Sequence, residues 1–347
     1  MSLSKSLTVS IAVAGLAFTV ASTSSVAQSQ SADRPQLSGI WSNASRTSLT
    51  RSRGVELVVT AEEAQEIVAN MAIAGISREN IEAGPAIDPE TGAPPAGARD
   101  FGLRGYNLFW TDPGSTLARV RGEFRTSYII DPPNGIIPRL DEPTYDLNRP
   151  QFGARYLTGV ADTSGPEAIP IAERCLIGFG NTAGPGMMGT LYNSSYQFIQ
   201  TDEYFMIMVE MVHDARIIPL YDSAEEARAN RRPEELQQWL GDSAGWYEGD
   251  TLIVETVNIN PLQMGQSSVP ISPYGKITER FSRYADEEII YQFTVEDEHL
   301  YSQPWTAELS YYPLDGRIYE YACHEGNYSM PGILAGARRA EREQASN

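Results

Sequence analysis

The chain has 347 residues, 41% hydrophobic and 20% charged, with a formal net charge of −19. A surface that acidic repels phosphate backbones and anionic membranes, which argues against nucleic acid as a partner and makes the charge a matter of solubility. Downstream of Ala27, no stretch has the roughly 18 apolar residues that a transmembrane helix needs.

The start, MSLSKSLTVSIAVAGLAFTVASTSSVAQSQ, carries Lys5 as a short basic region, an apolar run from Leu7 to Val20, and small residues at Ser25 and Ala27. This is the pattern of a secretory signal peptide over residues 1–27 rather than a membrane span, and it predicts an exported, periplasmic protein. The remainder, about 320 residues, suits one large domain or two small ones. Residues 28–36 are polar and read as a disordered leader. Gly39-Ile40-Trp41 in LSGIWS (37–42) is the G-x-W arrangement of lipocalin-like barrels, in which the Trp plugs one barrel end. The segment 60–76 reads as a helix with Thr60 as N-cap and Glu63 three residues on, a capping box. Residues 80–118, rich in Gly, Pro and Ala, are a surface excursion, so an insertion is expected at about 55–118.

From residue 124 onward the pattern is of strands. RTSYIIDPPNGIIPRL (125–140) predicts a hairpin around Pro132-Pro133-Asn134-Gly135. Residues 193–220 predict three strands broken at Thr201-Asp202 and His213-Asp214, and 245–259 a hairpin turning at Glu248-Gly249-Asp250. KITERFSRY, EIIYQFTVED, WTAELSYY and RIYEYAC follow at spacings of about ten residues, and GILAGARRAERE closes the chain as a helix. Short strands with regular turns mean a sandwich or a barrel, and the early G-x-W with a late helix favours the barrel. The predicted fold is mainly β: an antiparallel, lipocalin-like barrel over 37–347, with a helical and loop-rich N-terminal insertion and a C-terminal helix.

Candidate chemistry is sparse. The three histidines are His213, His299 and His324; the first and last sit at predicted strand ends beside acids, Asp214 and Glu325. An imidazole next to a carboxylate suits general acid–base work. Strand alternation puts Glu320 and His324 on one face of RIYEYACHE, opposite Tyr319, Tyr321 and Cys323. If that face lines a cavity, both can reach a ligand; if it meets water, they are an ordinary polar face. There is no H-x-H, H-x-x-x-H or C-x-x-C for a metal, no G-x-S-x-G elbow for a serine hydrolase and no G-x-G-x-x-G after a strand, so no metal site and no dinucleotide site are expected. GFGNTAGPGMMG (178–189) has no Lys and reads as a flexible loop or lid. Two cysteines, Cys175 and Cys323, in an exported chain point to one disulfide. A reactive thiol or a thiolate ligand is the alternative, which an oxidising compartment disfavours. Tyrosine is abundant, at 18 residues, and Trp239, Trp246, Tyr247 and Trp305 lie near polar turns; a Tyr-rich interior would suit a flat phenolic or sugar-like ligand.

EMVHDARIIPL (210–220), GDSAGWYEGDTLIVETVN (241–258), ITERFSRY (277–284), PWTAELS (304–310) and YEYACHEGNY (319–328) together resemble a family of exported bacterial proteins with blocks E-x-x-H-D-x-R-I-I-P-L, W-E-G-D-T-L-V-V and Y-E-Y-x-C-H-E-G-N. The likeness covers roughly 124–338. It departs from the family pattern at Trp246-Tyr247-Glu248, where R-W-E is usual, and in lacking a glycine after Leu220. The resemblance implies a cofactor-independent lyase that decarboxylates phenylcoumaran-type acids, aromatic dimers derived from lignin. In that chemistry a phenol is deprotonated, the electron-rich ring expels the bridging ether oxygen, and loss of CO2 gives a stilbene. Carried over residue by residue, His324 or His213 is the base or acid, tuned by Glu325 or Asp214. Arg216 or Arg280 holds the carboxylate. Glu320, Tyr321 and Asn327 orient histidine or ligand, and Trp246 and Trp305 contact the substrate. The alternatives are a carbohydrate-active lyase or hydrolase and a non-catalytic small-molecule-binding barrel. The partner expected is a small aromatic acid, and the reading is compatible with a homo-oligomer.

Overall fold

The computed structural model describes residues 34–71, 114–146, 163–178, 182–190, 192–264 and 267–346. The segment read as a signal peptide, most of the expected leader and most of the Gly/Pro-rich excursion lie outside them.

The described chain is mainly β. β1 (Gly39–Ser42) enters the sheet first. A flanking layer follows, made of β2 (Val58–Val59), α1 (Ala61–Asn70), β3 (Arg119–Val120) and β4 (Glu123–Arg125), and β5 (Ile129–Asp131) returns to the sheet. The wall is then completed by β6 (Ser195–Gln200), β7 (Tyr204–Val209), β8 (Ala215–Pro219), β9 (Asp242–Glu248), β10 (Thr251–Val257), β11 (Lys276–Ala285), β12 (Glu288–Glu296) and β13 (Trp305–Pro313). A short helix, α2 (Ala224–Ala229), lies between β8 and β9, and α3 (Ser329–Ala345) closes the chain. The sheet runs β8-β7-β6-β1-β13-β12-β11-β10-β9, with β5 added to β13, and its ladders are antiparallel. Its two ends meet at one parallel bridge, Leu220 to Gly245, backed by a bond from Tyr221 N–H to the Gly245 carbonyl at 2.8 Å, so the sheet is nearly closed into a barrel.

Alternation sorts the residues as their sequence requires. On β10, Leu252, Val254 and Thr256 point inward, while Ile253 packs outward with Ala244 and Trp246 under Ala227 of α2. The interior is aromatic: Tyr196, Phe198, Phe205, Phe281, Tyr291, Phe293, Trp305 and Tyr311 are all essentially inaccessible and meet mostly edge-to-face. Trp41 is buried near them, with its Nε1–H donating to the Leu37 carbonyl and the Arg283 guanidinium 4.8 Å from its ring centre. The Thr60–Glu63 capping box forms as its spacing predicts, starting α1.

Three expectations are corrected. RTSYIIDPPNGIIPRL is not a hairpin: the paired prolines supply no N–H for a ladder, β5 pairs with β13 instead, and Ile136 is left exposed. RIYEYAC is not a strand, because β13 is already paired on both sides and offers no edge to extend. The segment instead runs across the β7–β8 turn, and residues 323–326 form a turn, so Glu320 and His324 do not share a strand face. The described part of GFGNTAGPGMMG is no lid. Residues 182–188 are buried, with Ala183, Met187 and Met188 packed into the barrel core as a plug.

Candidate functional site at the barrel seam

The barrel interior is not wholly apolar. Arg216 on β8 and Glu279 on β11 are both buried and paired two-pronged, Nη2 to Oε2 at 2.5 Å and Nη1 to Oε1 at 3.0 Å. The Tyr291 hydroxyl donates to Glu279 Oε1 at 2.6 Å, and Gly186 N–H of the plug reaches the same oxygen at 3.3 Å. Arg216 also donates to Ser243 Oγ and Thr256 Oγ1, each at 3.2 Å, and to the Ala183 carbonyl at 3.3 Å. Burial works against the Arg216 charge, but the Glu279 carboxylate outweighs it and holds the guanidinium's pKa above its ordinary value. The Tyr291 phenol is pushed well up by burial and by Glu279, so it stays a donor. Plug and wall are thereby cross-linked: Met187 N–H donates to the Tyr291 hydroxyl and the Tyr196 hydroxyl donates to the Thr182 carbonyl, both at 2.8 Å.

At the seam where β8 and β9 fail to pair fully, a cleft of about 360 Å³ opens onto this network. Arg216 and Ser243 lie on its wall side, Ile177 at the root of the plug segment, Trp239 and Leu240 on the approach to β9, and Asp214, Arg232, Gln238 and Asp242 add polar lining. Its volume is that of a site for one small molecule. Asp214 immediately precedes β8, and its Oδ2 accepts the Gly178 N–H at 2.6 Å. Burial pushes the Asp214 carboxyl up to about 6, although the Gly178 bond and neighbouring His213 pull the other way. A carboxyl at about 6 can both hold and release a proton near neutral pH.

Of the predicted site residues, Asp214 and Arg216 come together in this cleft. The others are placed elsewhere. His213 is exposed, and its Nε2 lies 3.1 Å from the Tyr319 carbonyl oxygen and 3.3 Å from the Tyr321 nitrogen, fastening the tail to the barrel. Glu210 helps, accepting the Tyr319 N–H at 3.1 Å. His324, Glu325 and Glu320 are exposed on the tail, and Tyr321 is half-buried against the core. Asn327 donates to the Glu173 carbonyl at 2.6 Å and accepts from Met330 N–H, opening α3. Arg280 is a surface residue paired with Glu248 at 3.2 Å. Trp305 is core, and Trp246 is sandwiched outside the wall under Arg228. Cys175 and Cys323 form the disulfide. Among the described residues no group of three or more His, Cys, Asp or Glu is placed to hold a metal ion.

Reading the sequence alone missed Glu279, Tyr291, Ser243 and Thr256. Glu279 had a signal: it shares a strand face with Ile277 and Phe281, and an acid on an otherwise apolar face must find a partner. Ser243 and Thr256 had none, since small hydroxyl residues are ordinary in strands. No protein-family model, curated protein or solved structure matches the chain.

Proposed function

We propose that the protein is an exported, cofactor-independent lyase of the decarboxylase type, acting on a small aromatic acid, a phenolic dimer, bound in the seam cleft. The observation that carries this reading is Asp214: a carboxyl raised to about 6 by burial, in a cleft sized for one small ligand, beside arginine and tryptophan. The phenol proton passes to water at the open cleft mouth, Asp214 gives its own proton to the departing ether oxygen, and the electron pair left as CO2 departs forms the stilbene double bond and rearomatises the ring. Arg232, exposed on the rim and held by a long 3.9 Å contact to Asp242, turns to meet the substrate carboxylate, and Trp239 with Leu240 offers an apolar wall for a ring. Arg216 supports the cleft wall rather than binding the acid, because Glu279 already occupies its fork. The sequence block at residues 210–220, which carries Asp214, supports the same chemistry by resemblance. The Cys175–Cys323 disulfide supports the periplasmic reading, and no described helix is long and apolar enough to cross a membrane.

The test is conversion of phenylcoumaran-type acids, followed by ultraviolet absorbance as the conjugated stilbene appears. Asp214→Asn lowers turnover by roughly 10²–10⁴-fold with unchanged circular dichroism, while His324→Ala turns over normally. Wild-type rates in Asp214→Asn, or no turnover of any aromatic acid, would discard the assignment.

A further inference from the structure

A second, larger concavity lies at the barrel end, where β9 starts, β10 finishes, β11 starts and β12 finishes. This groove encloses about 1290 Å³ and shares only Arg232 and Asp242 with the seam cleft. That exceeds the roughly 300–1,000 Å³ typical of sites for single small molecules, so its natural occupant is a chain of several rings.

Its lining includes Tyr274, 73% exposed. The ring is held rather than loose. His299 backs it at 4.9 Å between ring centres and 42° between planes, and Tyr145 abuts it edge-on at 6.0 Å. His299 is itself fixed, with Nδ1 2.8 Å from Thr144 Oγ1 and its backbone N–H donating to buried Asp297. A large aromatic surface fixed in the open is a preorganised stacking platform, with little side-chain freedom left to lose on binding.

The walls settle what stacks there. Each of its three cations already faces a carboxylate: Lys276 lies 2.9 Å from Glu296, Arg231 lies 3.0 Å from Glu255, and Arg232 lies 3.9 Å from Asp242. With that pairing, and a chain carrying a net charge of −19, the groove has no surplus positive field for an anionic polymer. What a lining of both carboxylates and cations does serve is hydroxyl groups, each of which donates to one and accepts from the other. Apolar ring faces with hydroxyl-bearing edges describe a neutral saccharide.

We infer that this groove binds a neutral oligosaccharide chain, with one sugar ring stacked on Tyr274. The site is non-catalytic and does not rest on the lyase reading.

Calorimetric titration of the full-length protein with xylohexaose and cellohexaose tests it, with polygalacturonate and a monomeric phenolic acid as comparators. The expected result is saturable binding of at least one hexasaccharide, weakened about five- to tenfold by Tyr274→Ala, largely preserved in Tyr274→Phe, and unchanged in Asp214→Asn. No binding of either hexasaccharide, equal affinity in Tyr274→Ala, or tighter binding of polygalacturonate or the phenolic acid through Tyr274 overturns it. Because Asp214→Asn separates the two sites, failure here is distinguishable from failure of the lyase assignment.

Discussion

Glu279 is a carboxylate taken out of water, and its oxygens are met by Arg216, Tyr291 and the Gly186 N–H. Removing one member strands the other. Glu279→Gln should therefore cost about 3–5 kcal/mol in urea unfolding, and Arg216→Met with Glu279→Met should cost less than the two single changes summed. Asp214 makes a different forecast. Its folded-state pKa of about 6 lies above the ordinary 3.8, so the native state binds the proton more tightly than the unfolded chain does. Stability from this group is therefore lost as pH rises from about 4 to about 6, by up to roughly 3 kcal/mol, and is flat above. Urea midpoints across pH 4–8 should show Asp214→Asn without that slope, and more stable than wild type at pH 7. At this scale the sequence marked Asp214 as the acid beside His213, and the resemblance offered Arg216 as one of two arginines for a carboxylate. It could not show that Glu279, 63 positions further along the chain, would claim the guanidinium.

The plug is the element that most changes the meaning of the barrel. Gly184 has φ +84°, and a Cβ there would lie 2.4 Å from Arg216 Nη1, so Gly184→Ala combines backbone strain with a clash against a side chain that cannot move away. We expect a loss of about 3 kcal/mol or more by urea denaturation. Gly122→Ala, at φ +82° with nothing within 4 Å, should lose only about 1 kcal/mol, which separates clash from strain. Glycine-rich composition alone reads as a loop, and the same composition lets backbone approach buried side chains closely. Which of the two applies is decided by whether an interior exists to receive it. The strands β6 to β13 were legible because their alternation and turns are local, whereas the segment after β13 failed as a strand for a reason outside itself: both edges of β13 were taken.

Across the whole molecule, the disulfide ties the root of the plug to the tail that crosses the β7–β8 turn, closing a separation of 148 residues. The chain-entropy relation assigns such a closure about 5 kcal/mol, so replacing both cysteines with alanine should lower the urea midpoint markedly. Limited trypsin digestion should then cut first at Arg317, beside the tail that the bridge no longer holds, before the barrel wall is attacked. His213 would remain as a partial anchor through its contacts with residues 319 and 321.

The sequence by itself determined the β class, the order of most strands, the turns between them, the capped helix and the pairing of the two cysteines. These follow from period, turn chemistry and composition, all of which act over a few residues or need no geometry. Only the tertiary structure decided that the barrel is filled rather than hollow, that His213 fastens a tail while His324 faces solvent, and that Asp214 is the titratable group drawn into a cleft. Those outcomes depend on which distant side chains share one desolvated volume, and no local pattern encodes that.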